Sequence, residues 1–396
     1  MDLQIISPMM GNDPELFIKM GNRVLPAESI LYRKHKKIKI DNAAIELQPG
    51  PSSCLQEQNK CIADALGLVQ SALTKQGLDK AHVSLRPVEQ LRAKDIEDFR
   101  SVCMFGCQPS LVFDGQDLRR SQPMVNPRKV RYRSVGYHVH MGVETPELLR
   151  AVSLKYENTP YYKAAQILHS TEGRVRLVQM CDLFVGLPAV LLERDARVPI
   201  RRKVLGYGKA GEFREQPHGF EYRTLGSWPL LHPMWGWWAN AAVRDVLQFV
   251  VHDQDQDLKK GIDMVKVAEV INDNNLAEAL EFWHKAKRNL APIQTAWGPI
   301  EKNYYLTDSH PLLDKSHIAK LEFLAMKQNL KNKVFNFGVW CNKEKHPADP
   351  NLQVATAYLN GFPNASKKTV EEFEDWVPFS EAWTMDKDLL SKQMLA

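Results

Sequence analysis

The chain has 396 residues, 44% of them hydrophobic and 25% charged, and carries a formal net charge of +5. That is room for one large globular domain or two ordinary ones, with the composition of a soluble protein. The charge is mild: it suits an anionic ligand such as a nucleotide but does not call for nucleic acid, and no arginine-rich block is interleaved with aromatics.

Met1-Asp2-Leu3-Gln4-Ile5-Ile6-Ser7-Pro8 lacks the basic and apolar regions of a signal peptide. Residues 183–192 are the longest apolar stretch, too short to span a bilayer. A cytoplasmic protein without a membrane is expected. Of the six cysteines (Cys54, Cys61, Cys103, Cys107, Cys181, Cys341), Cys103 and Cys107 have CxxxC spacing, but no second pair completes a zinc site. Reduced, mostly buried thiols are expected.

Residues 16–24 and 37–48 read as strands. Ile38 and Ile40, then Ile45 and Leu47, alternate with polar residues, with a change of register near Asp41. Pro49-Gly50-Pro51-Ser52-Ser53 is a strong stop. Ile62, Leu66, Val69 and Leu73 then form one helical stripe, and Gly77 ends it. Residues 82–87 suggest another strand, and 109–128 a long loop suited to contacting a ligand.

Residues 130–143 read as a strand carrying Gly136-Tyr137-His138-Val139-His140-Met141-Gly142. A helical stretch covers 164–192, with Pro188 as a kink or break. Residues 193–220 are basic and glycine-bearing, with Arg194, Arg197, Arg201, Arg202, Lys203, Lys209 and Arg214 among Gly206, Gly208 and Gly211. A strand, Phe220-Glu221-Tyr222-Arg223-Thr224, follows. From Pro233 on, helices are predicted at 235–251, 264–272, 276–290 and 318–330; the aromatic segment 228–238 reads as core or interface. Strands first and helices later predict an α+β fold, with a mostly antiparallel sheet, one polar face and a helical C-terminal portion. Residues 1–330 form the expected catalytic domain and 331–396 an appendage or tail. Neither G-x-G-x-x-G nor GxxxxGK[ST] follows a strand.

Alternate side chains of a strand share a face. His138 and His140 then lie opposite Tyr137, Val139 and Met141, and Glu221 and Arg223 lie opposite Phe220 and Tyr222. Carboxylates with one imidazole favour Mg²⁺ or Mn²⁺ over Zn²⁺, so Glu15, Glu46, His138 and Glu221 form the candidate metal set. Each also has a plain reading, since a strand glutamate usually faces solvent and His-x-His can be a satisfied surface pair. In Lys209-Ala210-Gly211-Glu212-Phe213-Arg214, small residues allow close backbone approach, and arginine can clamp phosphate.

In this order the motifs resemble those of carboxylate–amine ligases of the glutamine synthetase-like superfamily. More closely, they resemble the amidoligase type 2 proteins (COOH–NH₂ ligases) of tailed bacteriophages and some bacteria. The resemblance is carried by Gly11-Asn12-Asp13-Pro14-Glu15-Leu16-Phe17, Asp41-Asn42-Ala43-Ala44-Ile45-Glu46-Leu47, Phe105-Gly106-Cys107, the His-x-His strand, Asp182-Leu183-Phe184-Val185-Gly186-Leu187-Pro188, Arg201-Arg202 leading to Tyr207–Arg214, and Gly219-Phe220-Glu221-Tyr222-Arg223-Thr224-Leu225.

The resemblance implies a sheet cradle for ATP and divalent ions. Glu15, Glu46, His138 and Glu221 match metal ligands. His140, Arg202, Lys209 and Arg214 match the nucleotide side, and Arg223, Lys209 and Arg214 match groups acting on phosphoryl or substrate carboxylate. It further implies an ATP-dependent carbon–nitrogen ligase working through an acyl phosphate, with small-molecule or peptide carboxylate and amine substrates; a modified nucleobase stays open. Glu212 and Asp41 are candidate bases by location. The first motif has Asp13 where Gly-x-Glu-x-Glu is common, which leaves the number of metal ions open. The rival readings are a metal-dependent hydrolase using His138 and His140, and a non-catalytic phage binding or structural protein on the same fold. A homo-oligomer is compatible with the sequence, and a phage-encoded protein would act in the bacterial cytoplasm.

Overall fold

One long strand organises the molecule. In the computed structural model, which describes residues 8–31, 35–103, 110–121, 126–154, 157, 159–193, 195–231 and 233–297, β1 (Met9–Met20) alternates in burial over its first half and is continuously buried over its second. The change marks the point where it acquires apolar cover on both faces. The other strands are β2 (Arg23–Leu25), β3 (Ile38–Asp41), β4 (Ala44–Leu47), β5 (His82–Ser84), β6 (Val88–Gln90), β7 (Leu111–Phe113), β8 (Leu118–Arg120), β9 (Tyr132–Ser134), β10 (Tyr137–Gly142), β11 (Glu212–Gln216) and β12 (Gly219–Tyr222). Ten of them form one sheet in the order β3-β4-β1-β10-β12-β11-β7-β8, with β2 and β5 also on β1; β6 and β9 make a separate ribbon. Every ladder among the described residues is antiparallel. The protein is therefore α+β.

The helices are α1 (Leu55–Lys75), α2 (Ala93–Asp98), α3 (Pro146–Val152), α4 (Pro160–His169), α5 (Thr171–Cys181), α6 (Leu187–Leu192), α7 (Pro233–Val251), α8 (Asp255–Lys259), α9 (Met264–Asp273) and α10 (Leu276–Trp297). The predicted stripe Ile62, Leu66, Val69 and Leu73 is buried along α1. The helices α1, α4, α5 and α7 cover one face of the sheet. Tyr137, Val139, Met141, Phe213, Phe220 and Tyr222 point into that layer and are fully buried. The tryptophans Trp228, Trp235 and Trp238 pack on one another with centroids 5.3–6.4 Å apart, so this segment is core. Phe17, Val24, Ala43, Ala44, Leu91, Val102 and Val135 form a second, smaller cluster.

Three local expectations change. Residues 37–48 are two strands, and the register shift near Asp41 is a tight turn with Asn42 at φ 56°, a left-handed conformation that asparagine tolerates. The loop expected over 109–128 contains the β7–β8 hairpin. Its turn is closed by Asp114 Oδ1, which accepts from the N–H groups of Gln116 (3.2 Å) and Asp117 (3.0 Å). Pro188 does not break its helix. A π turn at Asp182–Gly186 joins α5 to α6, placing the proline in the first turn of α6, where its missing N–H and its ring are accommodated.

The break falls instead at Ser170, whose hydroxyl caps α5 through the Gly173 N–H at 3.1 Å. The resulting run Thr171–Leu192 is long and apolar enough to cross a bilayer, but it is mostly buried inside the protein, where α5 packs on α7 and α6 on α10. Cys54, Cys61, Cys103 and Cys181 are free thiols. Arg194, Phe105-Gly106-Cys107, Cys341, the predicted 318–330 helix and the division at residue 330 all lie outside the described residues.

Candidate functional site

Antiparallel partners share a face of the sheet, and the ladders therefore place the polar residues in a row. Lys39 stands beside Glu46, Glu46 beside Glu15, Asp13 beside His138, Gly11 beside His140, His140 beside Glu221, and Glu221 beside Arg214. These residues are on the face away from the helices.

One end of the row is acidic. Glu15, Asp41 and Glu46 offer oxygens that all lie within 4.8 Å of one another. Burial, with Asp41 and Glu46 nearby, pushes the Glu15 carboxyl well above its usual range. Burial and Asp13 push Glu46 up to about 7, against Lys39, whose Nζ is 2.5 Å from Glu46 Oε1. Asp41, expected only as a base by location, is thus the third member of this corner. Three crowded oxygen donors fit a hard divalent cation such as Mg²⁺ or Mn²⁺, because a cation offsets the mutual repulsion of carboxylates held close together.

The middle of the row is His138. It is buried, and burial followed by the Arg223 charge pushes its pKa well below the usual value, so the imidazole is neutral. Its Nδ1 lies 3.6 Å from Glu221 Oε1 and 3.5 Å from Arg223 Nη1. Its Nε2 lies 2.9 Å from the Tyr207 hydroxyl, which donates to Glu15 Oε1 at 2.6 Å. The other Glu15 oxygen accepts the Gly136 N–H at 2.7 Å. Tyr207 therefore bridges the acidic corner and the imidazole.

The far end is basic. Glu221 is fully buried and accepts from Arg223, from Arg214 (3.2 and 3.4 Å) and from Gln216 Nε2 (2.5 Å). Burial raises this carboxyl, but Arg223, His138, His140 and Arg214 outweigh burial and hold it well below the carboxylate range. Glu221 is thus claimed by two guanidiniums, and a cation there would have to compete with them. The predicted metal set is divided: Glu15 and Glu46 sit in the acidic corner with Asp41, while His138 and Glu221 lie toward the guanidiniums.

Glu212 holds the turn that carries Lys209. Its Oε2 accepts the N–H groups of Gly208 (2.7 Å) and Lys209 (3.0 Å), and its Oε1 accepts the Ser110 hydroxyl (2.6 Å) and Arg223 Nε (3.4 Å). A carboxylate so occupied braces the turn, whereas sequence offered it as a base by location. Gly208 (φ 69°) and Gly211 (φ 73°) are required here. A Cβ at the first would lie 2.2 Å from Arg201 Nη2, and at the second 1.9 Å from the Phe113 carbonyl.

Arg202, expected on the nucleotide side, is wholly buried and donates to the carbonyls of Gly208 (3.2 Å), Thr224 (3.3 Å) and Ile271. Its neighbour Arg201 is equally buried and donates to the carbonyls of Arg223 (3.3 Å), Thr224 (2.9 Å) and Leu225 (2.8 Å). Both arginines brace the backbone around Arg223. His140, at the edge of the row, is tied to Asp13 at 2.9 Å and to exposed His218 at 3.3 Å. Burial lowers the pKa of His140, but the Asp13 bond outweighs this and raises it. Asp13 thus orients His140 and stands outside the acidic corner. Tyr207, Arg201 and His218 are not among the site residues expected from sequence, although Arg201 and Tyr207 lie in the stretch to Arg214 that carries the resemblance.

Residues 161–262 match the family model described as "Phage phiEco32-like COOH.NH2 ligase-type 2". That description is of a carboxylate–amine ligase. The match covers about a quarter of the chain, from α4 to past α8. It takes in Arg201, Tyr207, Lys209, Glu212, Arg214, Glu221 and Arg223, while Glu15, Asp41, Glu46 and His138 precede it. No curated protein matches the chain.

Proposed function

We propose that the protein is an ATP-dependent carboxylate–amine ligase of glutamine synthetase-like architecture. The observation that carries this reading is the juxtaposition on one sheet face of a three-carboxylate corner and a paired-guanidinium end. Nucleotide-driven acyl activation needs both, one to hold a cation on the phosphates and one to meet the phosphoryl group in flight. The matched family description agrees in reaction class.

A carboxylate and an amine do not condense in neutral water, because the carboxylate is a poor electrophile without a leaving group. In the proposed reaction the substrate carboxylate oxygen attacks the γ-phosphorus of ATP, and ADP departs with the electrons of the broken P–O bond. The amine then attacks the acyl carbon, loses a proton, and inorganic phosphate leaves. Glu15, Asp41 and Glu46 would hold the divalent cation, which supplies charge neutralisation at the phosphates. Arg223 and Arg214 would donate to the equatorial phosphoryl oxygens, and Lys209, on its braced turn, to phosphate or substrate carboxylate. One such charged contact contributes on the order of 3–4 kcal/mol to the barrier. The substrates are small-molecule or peptide carboxylates and amines, and the bacterial cytoplasm is the expected setting.

The test is incubation with ATP, Mg²⁺ and metabolite pools, read by mass spectrometry for a product formed by loss of water, with ADP and phosphate released together. Adding hydroxylamine should trap the acyl phosphate as a hydroxamate. Absence of Mg²⁺-dependent ATP binding in calorimetry, or phosphate release without ADP, would remove this reading.

A further inference from the structure

The reaction as written leaves Tyr207 without a role, yet its hydroxyl links Glu15 to His138 by hydrogen bonds. A phenol has one proton and can donate it once. Glu15 already accepts the Gly136 N–H on Oε2, and its Oε1 is the closer partner of Tyr207, at 2.6 Å against 2.9 Å for His138 Nε2. With Glu15 ionised, as a cation in its corner would keep it, the proton goes to Glu15. What Tyr207 then shows His138 is an oxygen lone pair, and a bare Nε2 at that distance would set lone pair against lone pair. The contact is attractive only with the hydrogen on Nε2.

The other end of the ring agrees. A neutral imidazole with its hydrogen on Nε2 has a bare Nδ1. Here Nδ1 faces Arg223 Nη1 at 3.5 Å, which can only donate, while Glu221 Oε1, already taken by Arg223, stands at 3.6 Å, outside hydrogen-bond reach. The phenol is held in place to do this. Its ring lies under the guanidiniums of Arg201 (5.1 Å) and Arg223 (5.4 Å), and the next residue, Gly208, has no room for a Cβ beside Arg201.

We infer that Tyr207 is a positioning residue that fixes His138 as the Nε2–H tautomer, so that Nδ1 is the atom presented toward Arg223 and Glu221, where a ligand would be met. This deepens the ligase reading by naming the ligand-facing atom of the imidazole, a second-sphere device of the kind that orients metal-binding histidines. Its test needs no turnover, so the two can fail separately.

The experiment is long-range ¹H–¹⁵N NMR of the full chain labelled at histidine, in Mg²⁺ buffer, with His138 assigned by the signal lost in His138→Gln. The expected wild-type pattern is Nε2–H. In Tyr207→Phe, which keeps the ring and deletes the hydroxyl, the two nitrogen shifts should move toward each other as the Nδ1–H form appears. The same variant should lose about tenfold in Mn²⁺ affinity by calorimetry. An Nδ1–H pattern in the wild type overturns the inference on its own, even if Tyr207→Phe does not fold. So does a weaker Mn²⁺ affinity with an unchanged tautomer, which would confine Tyr207 to Glu15. The Nε2–H pattern in a protein that ligates nothing would uphold the inference and remove the ligase.

Discussion

Glu15 and Glu46 are direct register partners across β1 and β4, and both are buried. Like charges placed opposite each other weaken a sheet. With Asp41 completing the group, the folded chain concentrates negative charge at one end of its polar face.

That concentration has a pH signature. The Glu46 carboxyl lies at about 7 in the folded chain against an ordinary value of 4.5, so folding is favoured by keeping the proton. The associated stability is complete below about 4.5 and is lost as pH rises through about 7. For one carboxyl the swing is on the order of 3 kcal/mol. Urea unfolding of metal-free protein between about pH 5 and 8 should show stability falling with pH, and Glu46→Gln should flatten the trend. Wild-type stability that rises over this window would contradict the assignment.

Asp41→Asn should reduce Mn²⁺ affinity about tenfold or more, because it removes one of three charged oxygen donors. It should not destabilise the metal-free protein, since repulsion on Glu15 is relieved. Calorimetry and thermal melting with and without Mn²⁺ measure both. An unchanged affinity would move the cation away from this corner.

At the opposite end, Glu221→Gln takes from the buried Arg223 the closer of its two carboxylate partners, leaving Glu212 at 3.4 Å, and loss of one member of such a buried pair costs about 3–5 kcal/mol. Arg214 is only partly buried, with its side chain 19% exposed. Arg214→Met should cost no more than about 1 kcal/mol of stability yet lower turnover by about 10²–10³. Denaturant titration set beside an ADP-release assay separates the two effects, and equal stability losses would refute the contrast.

Glu212→Gln distinguishes a support from a base. If Glu212 were the base for the incoming amine, the variant would still trap acyl phosphate with hydroxylamine while failing to ligate the amine. As the brace of the Gly208–Lys209 turn, its loss should lower both rates together, by about 10–10².

The two-residue period of a strand made part of this site legible. His138 with His140, and Glu221 with Arg223, share a face wherever their strands pair. Glu15 and Glu46, grouped by sequence in one candidate metal set, do meet across the β1–β4 register; that Asp41 joins them was not legible, because it depends on the turn of the β3–β4 hairpin. Arg201 and Arg202 stand in a basic run, with Arg202 expected on the nucleotide side. What buries them is a set of carbonyls at Gly208, Ile271 and Arg223–Leu225 that no local pattern announces. The β7–β8 hairpin escaped because strands of three residues are too short to show alternation, although Asp114-Gly115 was a turn signal. Pro188 misled for a different reason: the rule that proline breaks helices assumes an α turn before it, and the chain supplies a wider one.

The bounds of the family match also divide the site. The stretch that matches the phage ligase model carries the guanidinium end, whereas the acidic corner comes entirely from the first 47 residues. A relative that kept α4 to α8 but lost β1, β3 and β4 would satisfy the same family description while lacking Glu15, Asp41 and Glu46. The N-terminal strands are therefore the stretch to inspect when separating relatives that keep the three-carboxylate corner from those that lack it.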